Sequence, residues 1–313
     1  MEDFDLLYLI KTPFYLGNPS KAQSEAEDLE IDESDTKNEE LKNFFLIRIL
    51  LELGDLPKLK AFMSKIYEKN EKMVMLSGQM IQYFISEKAD SSIDEEIETA
   101  KKSLTTYPIS HLTILAYMTY LTGDYDNLFF LTSKTKNLEL LSIKFCGFLQ
   151  IFRYDLAKET LNKMSEVDDD NCLTSICEIL LGFTAKDSID KCREKVVEMA
   201  NKNDKYTLKI YTLLALTRMR ENKFQNAFKI FSKALETLNV LTDHTEYAKY
   251  STKNNSDTIC FCVNYLKCSK ILYMPTSDTS EKIEKLLKVV SPNHPYFTEQ
   301  EAANELFDEA ILE

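Results

Sequence analysis

A repeat of about 34 residues constrains this chain more than any other feature. Its clearest copy runs from Tyr211 to Ala234. Tyr211, Leu214 and Ala215 fall on one helix and a turn falls at Asn222. Phe224, Ala227, Phe231 and Ala234 then follow at i, i+3, i+7 and i+10. Those intervals place all four on one helical face. The small residues let two helices approach closely, and the aromatic ones fill the space above and below. Equivalent turns fall at Gly17, Gly54, Lys88, Gly123, Phe152, Thr184 and Asn222, 29 to 38 residues apart. Five positions after each turn stand Ala22, Leu59, Ile93, Leu128, Ala157, Ile189 and Ala227, all apolar. Eight positions before each turn stand Leu9, Leu46, Met80, Leu115, Lys144, Ile176 and Leu214, apolar except Lys144. A unit of this kind cannot bury its apolar face alone and must stack on its neighbours.

The period and the pattern of small and aromatic residues resemble tetratricopeptide repeats. The expected fold is therefore all-α, a tetratricopeptide-like α-solenoid. The resemblance implies a right-handed superhelix of helical hairpins with a C-terminal helical cap. Turn chemistry agrees. Gly54-Asp55 and Gly123-Asp124 put glycine where a helix end wants positive φ, and an acid then caps the next helix. Pro19 and Pro57 stand near the starts of second helices, where a missing N–H costs nothing. Residues 1–240 would hold about seven hairpins, and residues 241–257 an exposed loop. Residues 258–313 would hold one more hairpin (258–273 and 280–290) and a final helix, continuous with the solenoid. Thr298 with Glu301 reads as a capping box opening that last helix. Residues 25–40 read as a helix end running into an acidic loop.

Composition narrows the function. Six glycines never form a phosphate-binding loop motif. Seven cysteines with no framework spacing, and no secretory leader at Met1, suggest reduced thiols in the cytosol. Cys260, Cys262 and Cys268 read as buried core thiols, since a zinc site needs paired knuckles and a fourth ligand. His111, His244 and His294 are far apart, and a solenoid joins only neighbouring repeats, so no triad or metal site is expected. A cap or packing role suits His294, beside Pro295. No run of about 18 apolar residues is present to span a membrane. A net charge of −13 disfavours nucleic acid. No catalytic, cofactor-binding or metal-binding residue is therefore assigned.

A protein-binding role remains. On the repeat geometry the first helix of each hairpin faces the concave groove. Phe4, Phe14, Phe44, Arg48, Gln82, Tyr117, Tyr120 and Glu178 would project into it. Aromatics with sparse charge suit an extended or helical protein segment. The dense basic set that would clamp a C-terminal carboxylate is missing.

Three patches carry a more specific resemblance. The first is Phe4-Asp5-Leu6 followed by Lys11 to Gly17, with Phe14-Tyr15-Leu16-Gly17, Ala22 and Glu25-Ala26. The second runs from Phe152-Arg153-Tyr154-Asp155-Leu156-Ala157 through Leu161 and Met164 to the acidic turn Asp168 to Asp170. The third is Ser291, then His294-Pro295-Tyr296-Phe297, then Phe307-Asp308. Together they resemble the coatomer ε subunit family of the COPI coat. Pro19-Ser20 and the acidic stretch 28–40 depart from its pattern.

The resemblance implies a structural coat subunit that binds and stabilises the C-terminal region of the coatomer α subunit. It implies a place beside the other coatomer subunits in Golgi-to-endoplasmic-reticulum and intra-Golgi transport. It would be cytoplasmic, on the cytosolic face of Golgi and vesicle membranes, and would reach the membrane only through the coat. In the family the superhelix wraps this partner and the C-terminal helices close the contact. Glu301, Glu305, Phe307 and Asp308 become candidate contacts on that basis. The alternative is a general tetratricopeptide adaptor that captures short peptides in chaperone or complex assembly. Residues 1–40 hold 12 acids and 3 bases, and residues 293–313 hold 6 acids and no base. The charge therefore sits at the two ends, as solubilising caps or, at the C-terminus, as a surface for a basic partner.

Overall fold

The computed structural model describes residues 5–32, 34–86, 92–184, 189–203, 205–238, 256–273 and 278–312. These residues form seventeen α-helices and no strand. Sixteen of them follow one another two by two in chain order. They are α1 (Tyr8–Tyr15) with α2 (Pro19–Asp28), and α3 (Thr36–Glu52) with α4 (Leu56–Ile66). Next come α5 (Glu71–Ser86) with α6 (Ser92–Lys102), and α7 (Ile109–Thr122) with α8 (Tyr125–Leu131). Then α9 (Leu138–Gln150) pairs with α10 (Tyr154–Asp168), and α11 (Cys172–Gly182) with α12 (Ile189–Lys202). The last pairs are α13 (Leu208–Arg220) with α14 (Phe224–Leu238), and α15 (Ser256–Ile271) with α16 (Asp278–Val290). A single helix, α17 (Pro295–Leu312), ends the chain. The architecture is an all-α solenoid. Its contacts divide into two compact units, residues 1–210 and 211–313.

One turn design recurs. Gly17, Gly54, Gly123, Phe152 and Asn222 take φ of 78°, 72°, 75°, 58° and 59°. At each, the next residue's N–H reaches back five residues: Asn18 to Pro13, Asp55 to Leu50, Asp124 to Thr119, Arg153 to Phe148, Lys223 to Arg218. This is the Schellman closure of a helix end, which needs the left-handed conformation. Asn18, Asp55 and Asp124 then accept the N–H groups of Lys21, Lys58 and Asn127 at 3.1–3.3 Å, which starts the second helix. Tyr273, with φ 54°, supplies a further left-handed residue after α15. Lys88 lies outside the described residues. All seven positions five beyond the turns are buried. The first-helix positions are less uniform, and Leu9 is 62% exposed. Lys144 lies half-buried, with Nζ 5.9 Å from the centre of the Phe148 ring.

Several expectations are corrected. The acidic stretch is a helix end and a connection only as far as Asp35, which caps α3, and residues 36–40 already belong to that helix. The last helix begins at Pro295, not Thr298. His294 Nδ1 accepts the Tyr296 N–H at 3.1 Å, while Thr298 only bonds back to the Pro295 carbonyl. Cys262 and Cys268 are buried but Cys260 is exposed, because it lies on the outer face of α15. The expected loop 241–257 lies outside the described residues up to residue 255, and α15 already begins at Ser256.

The larger correction concerns reach. The first and sixth hairpins of the first unit touch, so the solenoid does not join neighbours alone. Helix α1 packs on α11. Thr207 Oγ1 donates to the Leu16 carbonyl at 2.6 Å and Lys209 Nζ to the Tyr15 carbonyl at 3.0 Å. The Schellman bonds at Gly17 use the carbonyls of Pro13 and Phe14, and the Leu16 N–H takes that of Thr12. Tyr15 and Leu16 thus keep the last carbonyls of α1, which a helix end leaves without intrahelical partners. A cation there is also favoured by the helix dipole. Through this contact, α1, α3, α7, α9 and α11 close a circuit, each packed on the next, with α5 filling the angle between α3 and α7.

In the second unit, Phe231 of α14 meets Phe261 and Tyr265 of α15 at ring separations of 5.4 and 6.1 Å. Ser269 and Ser280 bond at 3.0 Å between α15 and α16. Lys270 Nζ lies 4.7 Å from the Tyr296 ring centre, tying α15 to α17.

Candidate partner-binding pocket

The circuit of first helices surrounds a cavity of about 210 Å³. Its wall takes Tyr15 from α1, Phe44 and Arg48 from α3, and Met80 from α5. Thr113, Ile114, Tyr117 and Tyr120 come from α7, Glu139, Ser142, Ile143 and Cys146 from α9, and Leu173 from α11. An arginine in the apolar run Phe44 to Leu51 must be compensated, and here it is compensated twice. Its guanidinium carbon lies 4.8, 5.0 and 5.2 Å from the ring centres of Phe14, Phe44 and Phe45. Cation–π contacts of this kind strengthen where water is excluded. Its Nη1 also meets Glu139 Oε1 at 2.6 Å, an ion pair whose side chains are only 20% and 11% exposed.

Glu139 owes its place to the start of α9. Asn137 Oδ1 accepts the N–H groups of Glu139 and Leu140 at 3.0 and 3.1 Å, which fixes the first turn. From there the carboxylate points inward across the circuit to α3. Burial opposes the charge on Arg48, but Glu139 and then Tyr15 outweigh it and hold the guanidinium firmly protonated. Burial, and next Glu139, push the Tyr15 phenol well above its ordinary value. Burial pushes Tyr117 up to about 12 and Cys146 up to about 11. Near neutrality these phenols and this thiol stay protonated. None of these three groups is an activated nucleophile. Among the described residues no cluster of His, Cys, Asp and Glu could hold a metal ion.

The expected groove residues separate by place. Phe44, Arg48, Tyr117 and Tyr120 meet in this one pocket. Phe14 lies under Arg48 in the core, 7% exposed. Gln82 is exposed on α5 and Glu178 on α11, where it pairs with Lys195 of α12; neither lines the cavity. Glu301 and Glu305 are exposed on α17. Phe307 and Asp308 fall within α17 with side chains outside the described residues, as is Phe4 altogether. Tyr15 and Glu139 were not expected in the wall. Arg48 held the available signal, since a charge in an apolar helix implies an opposite charge facing it.

One comparison bears on identity. The family model described as coatomer epsilon subunit matches residues 3–313. No described helix is long and apolar enough to cross a membrane. The match runs nearly end to end and includes all three sequence patches, so the chain belongs to the coatomer epsilon subunit family, whose members are structural subunits of the COPI coat and work alongside the other coatomer subunits.

Proposed function

We propose that this chain binds and stabilises the C-terminal region of the coatomer α subunit within the coat. It would serve Golgi-to-endoplasmic-reticulum and intra-Golgi transport from the cytosolic face of Golgi and vesicle membranes, held there by the coat. The observation that carries this reading is the convergence of six first helices on one pocket faced by Tyr15, Phe44, Arg48, Tyr117 and Tyr120. Tyrosine and arginine are the residue types that dominate binding energy at interfaces. The circuit is already closed by Thr207 and Lys209, so little reorganisation is needed to present this wall. The exposed acids Glu301 and Glu305 on α17 would speed association with a basic surface.

The test is titration of the chain with a recombinant C-terminal fragment of the α subunit. Stoichiometric binding that survives high salt is expected. Tyr117→Ala with Tyr120→Ala should weaken it without changing the helical circular dichroism. No complex with the wild-type chain would sink the proposal.

A further inference from the structure

The pocket's own hydrogen-bond accounts identify what fits it. Thr113 Oγ1 donates to the Ile109 carbonyl at 2.8 Å and Ser142 Oγ to the Glu139 carbonyl at 2.7 Å, both within their own helices. Tyr120 accepts from Gln150 Nε2 at 3.3 Å. Arg48 and Glu139 neutralise one another. The remaining wall is Phe44, Met80, Ile114, Ile143, Cys146 and Leu173 beside Tyr15 and Tyr117. Although the buried Arg48 Nη1 makes no aligned hydrogen bond, most of the wall is carbon, so a polar or charged group placed here would lose its water against few partners, which costs several kcal/mol on transfer scales, roughly 2–7 for a neutral polar group. An apolar group loses nothing. The size is also selective. About 210 Å³ falls below the roughly 300–1,000 Å³ of small-molecule sites, but it suits a single large side chain.

We infer that the cavity is an anchor pocket for one bulky uncharged apolar side chain, of the leucine, methionine or phenylalanine kind, presented by the protein partner. The inference rests on the reading under Proposed function and adds the chemistry of the residue that must be inserted. The rest of the partner contributes complementarity, while the anchor supplies the central buried contact that hot spots supply elsewhere. Ser142 gives the means to test it. It stands half-buried on the wall, and its hydroxyl bonds only to its own helix carbonyl. Ser142→Leu therefore fills the cavity from inside at little cost to the helix.

Two measurements on the full chain decide the matter. The first uses xenon, a probe that enters apolar cavities and ignores polar ones. Xenon should shift the methyl resonances of Ile114, Ile143 and Leu173 in the wild type and leave them in place in Ser142→Leu. Absence of those shifts in the wild type overturns the apolar character of the pocket. The second titrates the α-subunit fragment. Ser142→Leu should lower affinity about 10- to 100-fold, the amount carried by burying one large apolar side chain. Its urea midpoint should equal or exceed that of the wild type. If it binds the fragment as tightly as wild type, the anchor is refuted. If it unfolds early, Ile143→Trp replaces it with the same expected loss, and undiminished binding by that variant refutes the anchor. If the wild type takes up xenon but does not bind the fragment, Proposed function fails, and with it the anchor's partner, while the pocket's apolar selectivity stands.

Discussion

Glu139→Ala tests whether the interior of the first unit depends on the buried Arg48–Glu139 ion pair. The substitution leaves Arg48 charged beneath the surface without its carboxylate, beside the Phe14, Phe44 and Phe45 rings and the phenols of Tyr15 and Tyr117. Removing one member of a buried pair costs about 3–5 kcal/mol, because the survivor's desolvation is no longer offset. The Arg48 side chain is 20% exposed, so some water reaches it and the low end applies, about 3 kcal/mol. Losing an acid from the first turn of α9 adds about 0.3–1 kcal/mol through the helix dipole. The control is Arg48→Met with Glu139→Leu. It removes both charges and keeps the volume, and replacements of this kind are often neutral or stabilising. It also forfeits the cation–π contacts, worth about 0.5–2 kcal/mol. The double variant should therefore lie within about 2 kcal/mol of wild type and well above Glu139→Ala. Urea unfolding, with hydrogen exchange resolved over α3 and α9, separates this unit from the second. The reasoning is refuted if Glu139→Ala costs under about 1 kcal/mol, or if the double variant loses the sum of its two single changes.

Three further outcomes are expected. Phe152 is 75% exposed at a φ of 58°, so Phe152→Gly gives up little packing and relieves left-handed strain. It should stabilise by about 0.5–1 kcal/mol, while Gly123→Ala, at φ 75°, should destabilise by about 1 kcal/mol, both read as shifts in denaturation midpoint. Gly147→Ala should cost about 1–3 kcal/mol in the same assay. Its Cβ would come within 2.7 Å of Leu128 Cδ2 and 3.1 Å of Phe129 Cε1, so the buried Leu128 side chain must shift out of its packing against α9. Burial disfavours the Glu96 carboxylate, but Lys72, at 2.6 Å, and the Tyr107 hydroxyl hold its pKa below the ordinary glutamate value. The stabilisation is present above the unfolded glutamate range and lost as pH falls through the folded value, so Glu96→Gln should flatten the acid limb of a stability–pH profile.

The elements that were legible in the sequence are those whose cause is local. A left-handed residue followed by Asp or Asn is a one-turn event; it occurs at Gly54 and Gly123 with the expected caps, and again at Gly17, where Asn18 caps. The face from Ala22 to Ala227 was legible because helix packing repeats at each turn. Phe152 and Asn222 adopt the same closure without glycine, so register there came from the period rather than residue type. Closure of α1 on α11 was not legible. Curvature is a small rotation added at every hairpin, and no single residue encodes the sum. Thr207 and Lys209 bind backbone carbonyls, which leave no mark on the sequence they grip. Glu139 escaped notice for a related reason: an acid in a first turn is already explained by the helix dipole, and its second role across the pocket depends on the closed circuit.

That closure also changes what the acidic N-terminal run is for. Read as a charge block, residues 1–40 solubilise an open terminal repeat, as solenoid ends usually require. In the folded first unit several of these acids hold specific partners. Asp5 pairs with Lys11 at 2.9 Å, Asp35 accepts the Asn38 N–H at the start of α3, and Glu40 accepts the Ser110 hydroxyl and stands 3.7 Å from His111 Nε2. Burial lowers the pKa of His111, so near neutral pH the Glu40 carboxylate faces a hydroxyl and a neutral ring rather than a cation. A terminal hairpin whose inner face is already covered by α11 needs less solvation than an open one. Asp5, Asp35 and Glu40 thus act singly, as a local ion pair, a cap and an inter-helix bond at α1 and α3, where the circuit closes.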